Sequence, residues 1–302
     1  LRLPWALRLS GLPLLLPVLL WQPALPPVGQ FEVLAADIGQ GTAVLVRTAR
    51  HALLYDTGPR FSRESDAGQR VLVPLLRALG VRLDQVMLSH RDTDHTGGTT
   101  AVLAMQPQAG LISSFGKDDS LAPARSSTAC VAGQRWQWDG VDFEVLHPSA
   151  EDYSRALRSN AMSCVLRIAS AQHSALLAGD IEQAQEASLV QALAGLQAPV
   201  AGTQAVVGPG LRADLLLVPH HGSKTSSSEA FLDAVQPRIA VVQAGYRNRF
   251  GHPASPVLVR YADRQVLVID TPHCGALTWQ SWQADSPKCQ RVQELRYWRH
   301  RL

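Results

Sequence analysis

The six-residue segment from 90 to 95, with the sequence His-Arg-Asp-Thr-Asp-His, concentrates side chains that could bind a metal ion. Imidazole nitrogens and carboxylate oxygens are ligands that divalent metals such as Zn²⁺ and Mn²⁺ use in proteins. Charge pairing on a solvent-exposed loop is the alternative explanation, but two imidazoles and two carboxylates at this density favour a metal site. The candidate ligands are His90, Asp92, Asp94 and His95.

Three further apolar segments end in side chains of the same kinds. Asp56, Asp180 and the pair His220-His221 each come at the end of a predicted strand or shortly after it. Because layered α/β proteins build ligand sites at strand ends, we expect these residues to lie near the first cluster. Considered alone, Asp180 is better explained as the N-cap of a helix predicted at 182–194. Taken together, the four clusters predict a site for two divalent metal ions.

Predicted strands and helices alternate from residue 30 onward, which favours a layered α/β domain. The predicted strands are 31–37, 43–47, 52–56, 85–89, 140–146, 163–168, 175–177, 213–218, 239–244, 266–269 and 276–279. The predicted helices are 71–79, 182–194, 228–235 and 255–262. We therefore expect one domain over residues 30–285, preceded by an apolar, proline-rich segment at 1–29 and followed by a basic tail at 286–302.

The opening segment is apolar but interrupted by prolines. The run at 12–21 is too short and too rich in proline to cross a bilayer by itself. A signal peptide is disfavoured, because there is no initial methionine and no clear small-residue cleavage site. A buried apolar strap is possible, but we favour the end of a transmembrane region followed by a stiff linker at 23–27.

Composition narrows the class of protein further. With 46% apolar and 18% charged residues, the chain is a folded globular protein and not a disordered one. The net charge of +3 permits an anionic substrate without requiring one. The four cysteines have no CxxC spacing, so they predict neither a zinc knuckle nor a redox motif. Cys164 is predicted to be an ordinary core residue, whereas Cys274 and Cys289 could pair in an oxidising compartment.

The order of these clusters resembles the motif series of the metallo-β-lactamase superfamily. Four other segments extend the likeness to the C-terminal domain of the ComEC competence proteins, which are bacterial inner-membrane channels for DNA uptake. These segments are Asp-Ile-Gly-Gln-Gly at 37–41, Ala-Gly-Asp-Ile-Glu at 178–182, Val-Pro-His-His-Gly-Ser-Lys-Thr-Ser at 218–226 and Phe-Gly-His-Pro at 250–253. The resemblance covers about residues 30–279 and implies an αββα sandwich, in which helices flank two mixed β-sheets.

The resemblance also implies which residues bind each of two divalent ions, Zn²⁺ or Mn²⁺. His90 and Asp92 would hold one ion. Asp94, His95 and His221 would hold the other, and Asp180 would bridge both. Three aspartates make the site richer in oxygen than a strict zinc site, which is why Mn²⁺ is included.

Other residues receive roles by the same resemblance. Asp94, His220 and His252 are the candidates for catalysis, the two histidines through a substrate phosphate or the leaving group. His252 could equally be a turn residue before Pro253, and Ser223 could equally be a cap. The expected supporting or substrate-contacting residues are Asp56, Asp37, Asn160, Ser223 and Lys224.

The chain also departs from the superfamily pattern. The isolated middle histidine has no obvious counterpart, and Ser159-Asn160 stands at the matching strand entry. His173 is near in sequence but lies in a polar turn, so it is a weaker candidate. One metal ion is therefore expected to have the less complete coordination. Thr42 occupies a position where many relatives have an acidic residue.

The function that the resemblance implies is a phosphodiesterase or nuclease that hydrolyses DNA during transformation. Its expected partners are DNA, as a single strand, the membrane channel of the same longer chain, and other competence proteins. The domain would face the periplasm from the bacterial inner membrane. Basic residues near the motifs and in the tail, with two tail aromatics, weakly favour a nucleic acid. They are Arg91, Lys224, Arg247, Arg249, Arg296, Tyr297, Trp298, Arg299 and Arg301.

Two other functions remain open at this point. The first is a non-catalytic domain that guides DNA into the pore, with structural metals, which the missing middle ligand would suit. The second is a phosphodiesterase for a small ester such as phosphorylcholine, because esterases of that type share the His-x-Asp-x-Asp-His pattern.

Overall fold

A computed structural model of the protein describes residues 4–5, 9–20, 24–115, 127–197 and 210–293. Within these ranges, the helices are all too short or too polar to cross a membrane. The apolar opening segment contains one nine-residue helix, Leu12–Leu20. The tail residues from 294 onward, including the predicted basic and aromatic side chains, lie outside the described residues.

The helices and strands, numbered here in chain order, alternate broadly as the sequence predicts. The strands are β1 Glu32–Ala35, β2 Val44–Arg47, β3 Ala52–Tyr55, β4 Arg60–Ser62, β5 Ser65–Asp66, β6 Gln85–Leu88, β7 Gly110–Ser113, β8 Thr128–Ala129, β9 Arg135–Trp138, β10 Val141–His147, β11 Val165–Ala169, β12 Ser174–Leu177, β13 Leu215–Leu217, β14 Ile239–Val242, β15 Leu267–Asp270, β16 Leu277–Gln280 and β17 Lys288–Cys289. The α-helices are α1 Leu12–Leu20, α2 Val73–Ala78, α3 Thr93–Thr96, α4 Thr99–Met105, α5 Gln183–Gln197, α6 Glu229–Val235, α7 Ser255–Asp263, α8 Thr271–Cys274 and α9 Gln290–Gln293.

Two mixed sheets form the centre of the described structure. The first has eight strands in the order β17-β16-β1-β2-β3-β6-β7-β8, and the second has seven in the order β15-β14-β13-β12-β11-β10-β9. The strands β3, β6, β7 and β8 run parallel in the first sheet, and β12 to β15 run parallel in the second. The short strands β4 and β5 form a separate hairpin.

Three apolar clusters hold the layers together. Along β3, Leu53 and Tyr55 point into the core between the sheets, while Leu54 packs towards α2 and α4. Along β12, Leu176 faces the opposite way, towards α5, α6 and α7. This alternation is the period of two that a strand imposes on its side chains. Each fully buried side chain of this size stabilises the fold by about 1.5–3 kcal/mol. The predicted αββα sandwich is therefore confirmed.

The two sheets meet where β6 ends and β11 begins. The Cys164 amide donates a hydrogen bond of 2.8 Å to the Ser89 carbonyl, and the Tyr55 hydroxyl donates one of 2.5 Å to the Cys164 carbonyl. Backbone groups this deep need partners, so these bonds fix the relative position of the sheets at this edge. The carboxyl ends of β3 and β6 are thereby held beside those of β12 and β13.

Several elements differ from the sequence prediction. The predicted helix at 71–79 begins as a π-helical turn, Gly68–Leu72, and becomes α-helical from Val73. The strands β7 and β9 were not predicted. β9 is an edge strand of four residues in which two core-packed tryptophans alternate with two polar residues, and so short an alternation did not distinguish a strand. Because β17 pairs with β16, the segment from 286 begins inside the first sheet.

The described cysteines form two disulfides, Cys130–Cys164 and Cys274–Cys289. The second confirms the pairing considered for these cysteines. Cys164 is fully buried, as predicted, but its sulfur is bonded to Cys130, so the prediction of an ordinary core residue was wrong. Cys130 is 34 positions away in sequence, and nothing in the local pattern indicates the pairing.

Candidate metal centre

The carboxylate of Asp180 lies at the centre of a group of histidines drawn from two distant parts of the chain. Four imidazole Nε2 atoms approach one or the other of its oxygens within 4.0 Å. The distances are 3.2 Å for His95, 3.6 Å for His221, 3.9 Å for His220 and 4.0 Å for His90. The expectation that these residues meet is thus confirmed by the geometry. Asp180 does not act as a helix cap, because its side chain faces the imidazoles.

Short elements at strand ends place these side chains. His90 follows β6, and Asp92 is the N-cap position of the one-turn helix α3, which carries Asp94 and His95. The backbone of the 37–41 segment packs directly on this turn. A Cβ on Gly41 would lie 2.2 Å from the Asp94 carbonyl oxygen, so this position must be glycine.

His95 is oriented by Asp56, as predicted. The His95 Nδ1 lies 2.7 Å from Asp56 Oδ2, and the other oxygen of Asp56 accepts a 2.6 Å hydrogen bond from the Ser89 amide. Asp56 sits at a φ of 59°, a conformation that aspartate tolerates better than most residues. Because an acceptor occupies Nδ1, the proton of the neutral ring is on that side. Nε2 is then free to bind a cation.

His221 and His90 are oriented in the same way by other groups. The His221 Nδ1 lies 2.8 Å from the Gln243 carbonyl oxygen, at the end of β14. The His90 Nδ1 lies 3.0 Å from the Ser89 hydroxyl, which donates its own proton to Asp56, and 3.3 Å from the Ser163 hydroxyl. Both rings therefore also direct Nε2 towards Asp180.

Among the described residues, the atoms that face the centre of this group form no hydrogen bond. They are buried, and most polar atoms this deep in a protein are satisfied. The orphaned atoms are the Nε2 of His90, of His95 and of His221, together with Asp180 Oδ1. Three nitrogen lone pairs and a carboxylate that converge without partners fit a bound divalent cation.

The charge distribution also fits a cation. Burial by itself would raise the pKa of Asp180, but the neighbouring imidazoles of His95 and His221 hold it well below its usual value. Burial would lower the pKa of His95, yet the carboxylates of Asp180 and Asp56 raise it well above the ordinary value. Asp94, next to His221, has its pKa lowered to about 2. The carboxylates of Asp180 and Asp94 thus remain charged at neutral pH, as ligands of a cation must be.

The donors divide into two overlapping groups. One comprises His90, His95 and Asp180, and the other comprises Asp94, His95 and His221. Because His95 has a single free nitrogen, it can bind only one ion. The Asp92 carboxylate lies 3.7 Å from His90 Nε2. This arrangement is compatible with the division of ligands that the resemblance implies.

His220 and Asn160 form the rim of the site. The Asn160 amide nitrogen lies 3.3 Å from His220 Nε2. The opposite nitrogen of His220 lies 3.4 Å from Glu182 Oε1 and 3.3 Å from the Thr225 hydroxyl, which donates to the same Glu182 oxygen. The Asn160 amide thus contacts one of the four imidazoles that lie near Asp180.

His252, Ser223 and Lys224 lie on segments that border the centre. The His252 ring is stacked against His221 at a centroid distance of 6.5 Å, and its pKa is lowered by partial burial and by the neighbouring imidazoles. The Ser223 hydroxyl lies 3.2 Å from that of Thr225 and caps no helix. Lys224 is exposed beside them.

Two other candidate residues have different partners. Asp37 forms a 2.5 Å ion pair with Arg291, and none of its described contacts joins it to the metal centre. His173 precedes β12 and pairs with Asp214, whereas Asp180 follows the other end of that strand. The weak candidacy of His173 is therefore removed by the topology.

Sequence reasoning missed the groups that orient the ligands. Ser89, Ser163 and the Gln243 carbonyl each contact a candidate ligand, and Glu182 and Thr225 contact His220. Local signals were available for three of them: Ser89 immediately precedes His90, and Glu182 and Thr225 lie within the motifs at 178–182 and 218–226. Every residue has a backbone carbonyl, so the sequence cannot indicate that the carbonyl of Gln243 contacts His221.

The fold and the arrangement of donors define the class: the chain has the metallo-β-lactamase fold. Residues 36–104 match the family model described as the metallo-beta-lactamase superfamily. The metallo-beta-lactamase fold protein YhfI from Bacillus subtilis aligns with a TM-score of 0.52 and 13% identity, over 83% of this chain and 100% of that one. At this identity the likeness concerns the fold alone.

Two relatives are similar to the chain over most of its length. The competence protein ComA of Neisseria gonorrhoeae is 38% identical over 298 residues, which are 98% of this chain and 38% of that protein. The ComE operon protein 3 of Bacillus subtilis is 30% identical over 281 residues, which are 85% of this chain and 34% of that protein. The chain spans little more than a third of the length of either relative.

Proposed function

We propose that the chain is a two-metal phosphodiesterase, a nuclease that hydrolyses DNA as part of a bacterial DNA-uptake channel. The observation that carries this proposal is the Asp180 carboxylate, around which four histidine Nε2 atoms converge within 4.0 Å. Two divalent cations held there would supply a water of lowered pKa and neutralise charge on a phosphoryl group.

The ligands that we assign are His90 and Asp92 in one centre and Asp94, His95 and His221 in the other, with Asp180 between them. Orienting bonds at each histidine Nδ1 keep the donors in place before an ion arrives. Such preorganisation lowers the cost of assembling the site. Both Zn²⁺ and Mn²⁺ suit this mixture of nitrogen and oxygen donors.

The rim supplies groups for the substrate. We assign to His220 and Asn160 the contact with phosphoryl oxygens, because their polar atoms face the same opening as Asp180. His252 would contact the leaving group from the neighbouring loop. Partial burial and the neighbouring imidazoles lower its pKa, which favours the neutral ring as a hydrogen-bond donor to that group.

DNA as the substrate is supported by the relatives and by surface charge. One relative is named a competence protein and the other a ComE operon protein, and both are far longer than this chain. The exposed side chains Lys224, Arg247 and Arg249 lie on the two segments that carry His220 and His252. A membrane channel in the same longer protein, other competence proteins as partners, and a periplasmic location at the inner membrane are part of this proposal.

A non-catalytic DNA-guiding domain is the second candidate, and one observation favours it. By the resemblance, Asn160 stands at the strand entry that matches the superfamily's middle histidine, and its amide contacts His220 instead of supplying an imidazole. An ion held by His90, Asp92 and Asp180 alone would bind more weakly, and it could leave a site with structural metal but little hydrolysis.

The test combines metal analysis with two substrates. The purified chain is loaded with Zn²⁺ or Mn²⁺, its metal content is measured, and it is offered labelled single-stranded DNA and bis-(p-nitrophenyl) phosphate. We expect two ions per chain and cleavage of both substrates, with at least a 100-fold loss in the Asp94→Asn variant. The control is Asp139→Asn, which makes the same change from carboxylate to amide at a residue that pairs with Arg50 and has no described contact with the metal centre.

Each other outcome has a definite meaning. DNA binding without turnover under either metal contradicts the nuclease and supports the guiding domain. Cleavage of the small ester alone contradicts DNA as the substrate and supports an esterase of the phosphorylcholine type. A chain that binds no metal contradicts all three.

A further inference from the structure

The loop from Gly245 to Pro253, which follows β14, combines exposed aromatic rings with arginines. Tyr246 is 47% and Phe250 53% exposed, which is unusual for rings of this size. The Arg247 guanidinium lies 5.1 Å from the Tyr246 ring centroid, and that of Arg249 lies 4.8 Å from the Phe250 centroid. The loop thus presents two adjacent pairs to solvent, each made of one aromatic ring and one arginine side chain.

The loop is held in one conformation by Asn248. The side-chain amide of Asn248 donates to the carbonyls of Gly245 and His252, at 3.0 and 2.6 Å. Its oxygen accepts hydrogen bonds from the amides of Phe250 and His252. Such internal bonding means that the rings are displayed on a preorganised surface, so that a ligand need not order the loop.

A series of ring contacts connects this surface to the metal centre. Phe250 is stacked on His252 with a centroid distance of 5.7 Å, and His252 is stacked on His221 with a distance of 6.5 Å. His221 is a ligand in the proposed site. A DNA strand whose scissile phosphodiester lies at the metal centre would therefore pass beside Phe250.

We propose that Tyr246 and Phe250 are a stacking surface for unpaired bases of a single DNA strand, an inference that rests on the proposed nuclease function. Every base has a flat face that stacks on an aromatic ring, and base pairing in a duplex conceals that face. Arg247 and Arg249 contact the phosphates and turn away from the rings as bases stack. The surface thereby selects single-stranded over double-stranded DNA.

The chemistry of this surface favours a nucleic acid over a protein partner. Each exposed ring has its own guanidinium, and the described loop from 245 to 253 contains no acidic side chain. This repeat of ring and positive charge matches the repeat of base and phosphate along a strand. It lies directly beside a site for phosphoesters.

The test measures binding by fluorescence anisotropy in excess EDTA, so that no strand is cut. The ligands are a labelled 20-nucleotide single strand, the same strand without bases, and the duplex. We expect Phe250→Ala to weaken binding of the intact strand about 10-fold and of the abasic strand less than twofold. Arg249→Ala is expected to weaken both strands and to reduce the salt dependence of binding by about one counterion.

The matched control removes one guanidinium and one exposed apolar side chain elsewhere. Arg238 immediately precedes β14 and Leu267 is the first residue of β15, so both lie at the strand ends away from the metal centre. Arg238→Ala combined with Leu267→Ala is expected to leave binding of all three ligands unchanged. Metal content of each variant, measured before EDTA treatment, shows whether the site is still assembled.

The results separate this inference from the proposed function. If Phe250→Ala and Tyr246→Ala both leave the intact strand bound as tightly as before, or weaken the abasic strand equally, the stacking surface is disproved. If the variants lose affinity as expected but the unmodified chain with metal cleaves no phosphodiester, the nuclease proposal fails and the binding surface stands.

Discussion

At the scale of single residues, one hydroxyl connects three groups of the metal centre. The Ser89 hydroxyl donates to Asp56 and accepts from His90, and Asp56 in turn accepts from His95. Two candidate ligands that are five positions apart therefore share one orienting network. In such networks the loss of one partner affects every ring that depends on it.

The residue that tests this network most directly is Asp56. In Asp56→Asn, one carboxylate oxygen becomes an amide nitrogen, which cannot accept the proton at His95 Nδ1. We expect metal affinity to fall about 10–100-fold, as is usual when such an orienting carboxylate is lost. Competition with a chromogenic chelator measures the affinity, and Asp139→Asn is the control for an asparagine at positive φ. Equal affinities for Asp56→Asn and the parent chain would show that His95 needs no orientation.

At the scale of elements, the loop that follows β13 carries unusual backbone strain. His220 and His221 both have positive φ, as does Ser227 further along the loop. Each such residue costs of the order of 1–3 kcal/mol and persists only where surrounding contacts compensate. Here the buried Glu186 of α5 accepts the amide hydrogens of Ser227 and Ser228, at 2.5 and 2.8 Å.

A substitution of Glu186 tests whether α5 supports the histidine loop. In Glu186→Gln, the side-chain NH₂ would face a backbone N–H, so one buried donor would be unsatisfied. We expect the free energy of unfolding to fall by about 1–3 kcal/mol, together with weaker metal binding. Urea denaturation and the chelator assay measure the two effects. Glu229→Gln, at a 76% exposed side chain nearby, should change neither. Unchanged metal affinity in a destabilised Glu186→Gln would show that the loop is held by other contacts.

At the scale of the whole molecule, the free energy of unfolding depends on pH through titratable groups that are buried in their neutral form in the folded protein. Burial lowers the pKa of His147 below its ordinary value of 6.5, despite the nearby Ser163 carbonyl and the Asp152 carboxylate. Protonation of this ring therefore favours the unfolded chain. Its contribution to stability is complete above about pH 6.5 and is lost as the pH falls below that value.

The variant His147→Asn isolates this contribution. We expect the parent chain to lose stability faster than the variant between pH 7 and pH 5, by up to about 1.4 kcal/mol per pH unit. The measurement is the difference in free energy of unfolding between the two proteins, from urea titrations at several pH values. A difference that stays constant across this range would mean that His147 titrates equally in both states.

Much of the fold and of the site could be predicted because the signals are local. The strand from 85 to 89 and the His90–His95 segment are adjacent in sequence, so one apolar run and one motif located both. The edge strand β9 was missed because its alternation of polar and aromatic residues is only four residues long. The motif that contains Asp37 was recognised, but it gave no indication of the partner Arg291, which lies 254 positions away.

By itself, the sequence determined which side chains could bind metal and that each follows a strand, because residue type and apolar period are local properties. Only the tertiary structure decided that those strand ends meet at Asp180 and which nitrogen of each histidine faces it. It also decided that Cys164 pairs with Cys130 and that Phe250 stacks on His252, which in turn stacks on His221. The physical reason is that these relations depend on how two sheets pack against each other, and that packing sums contacts from the whole chain.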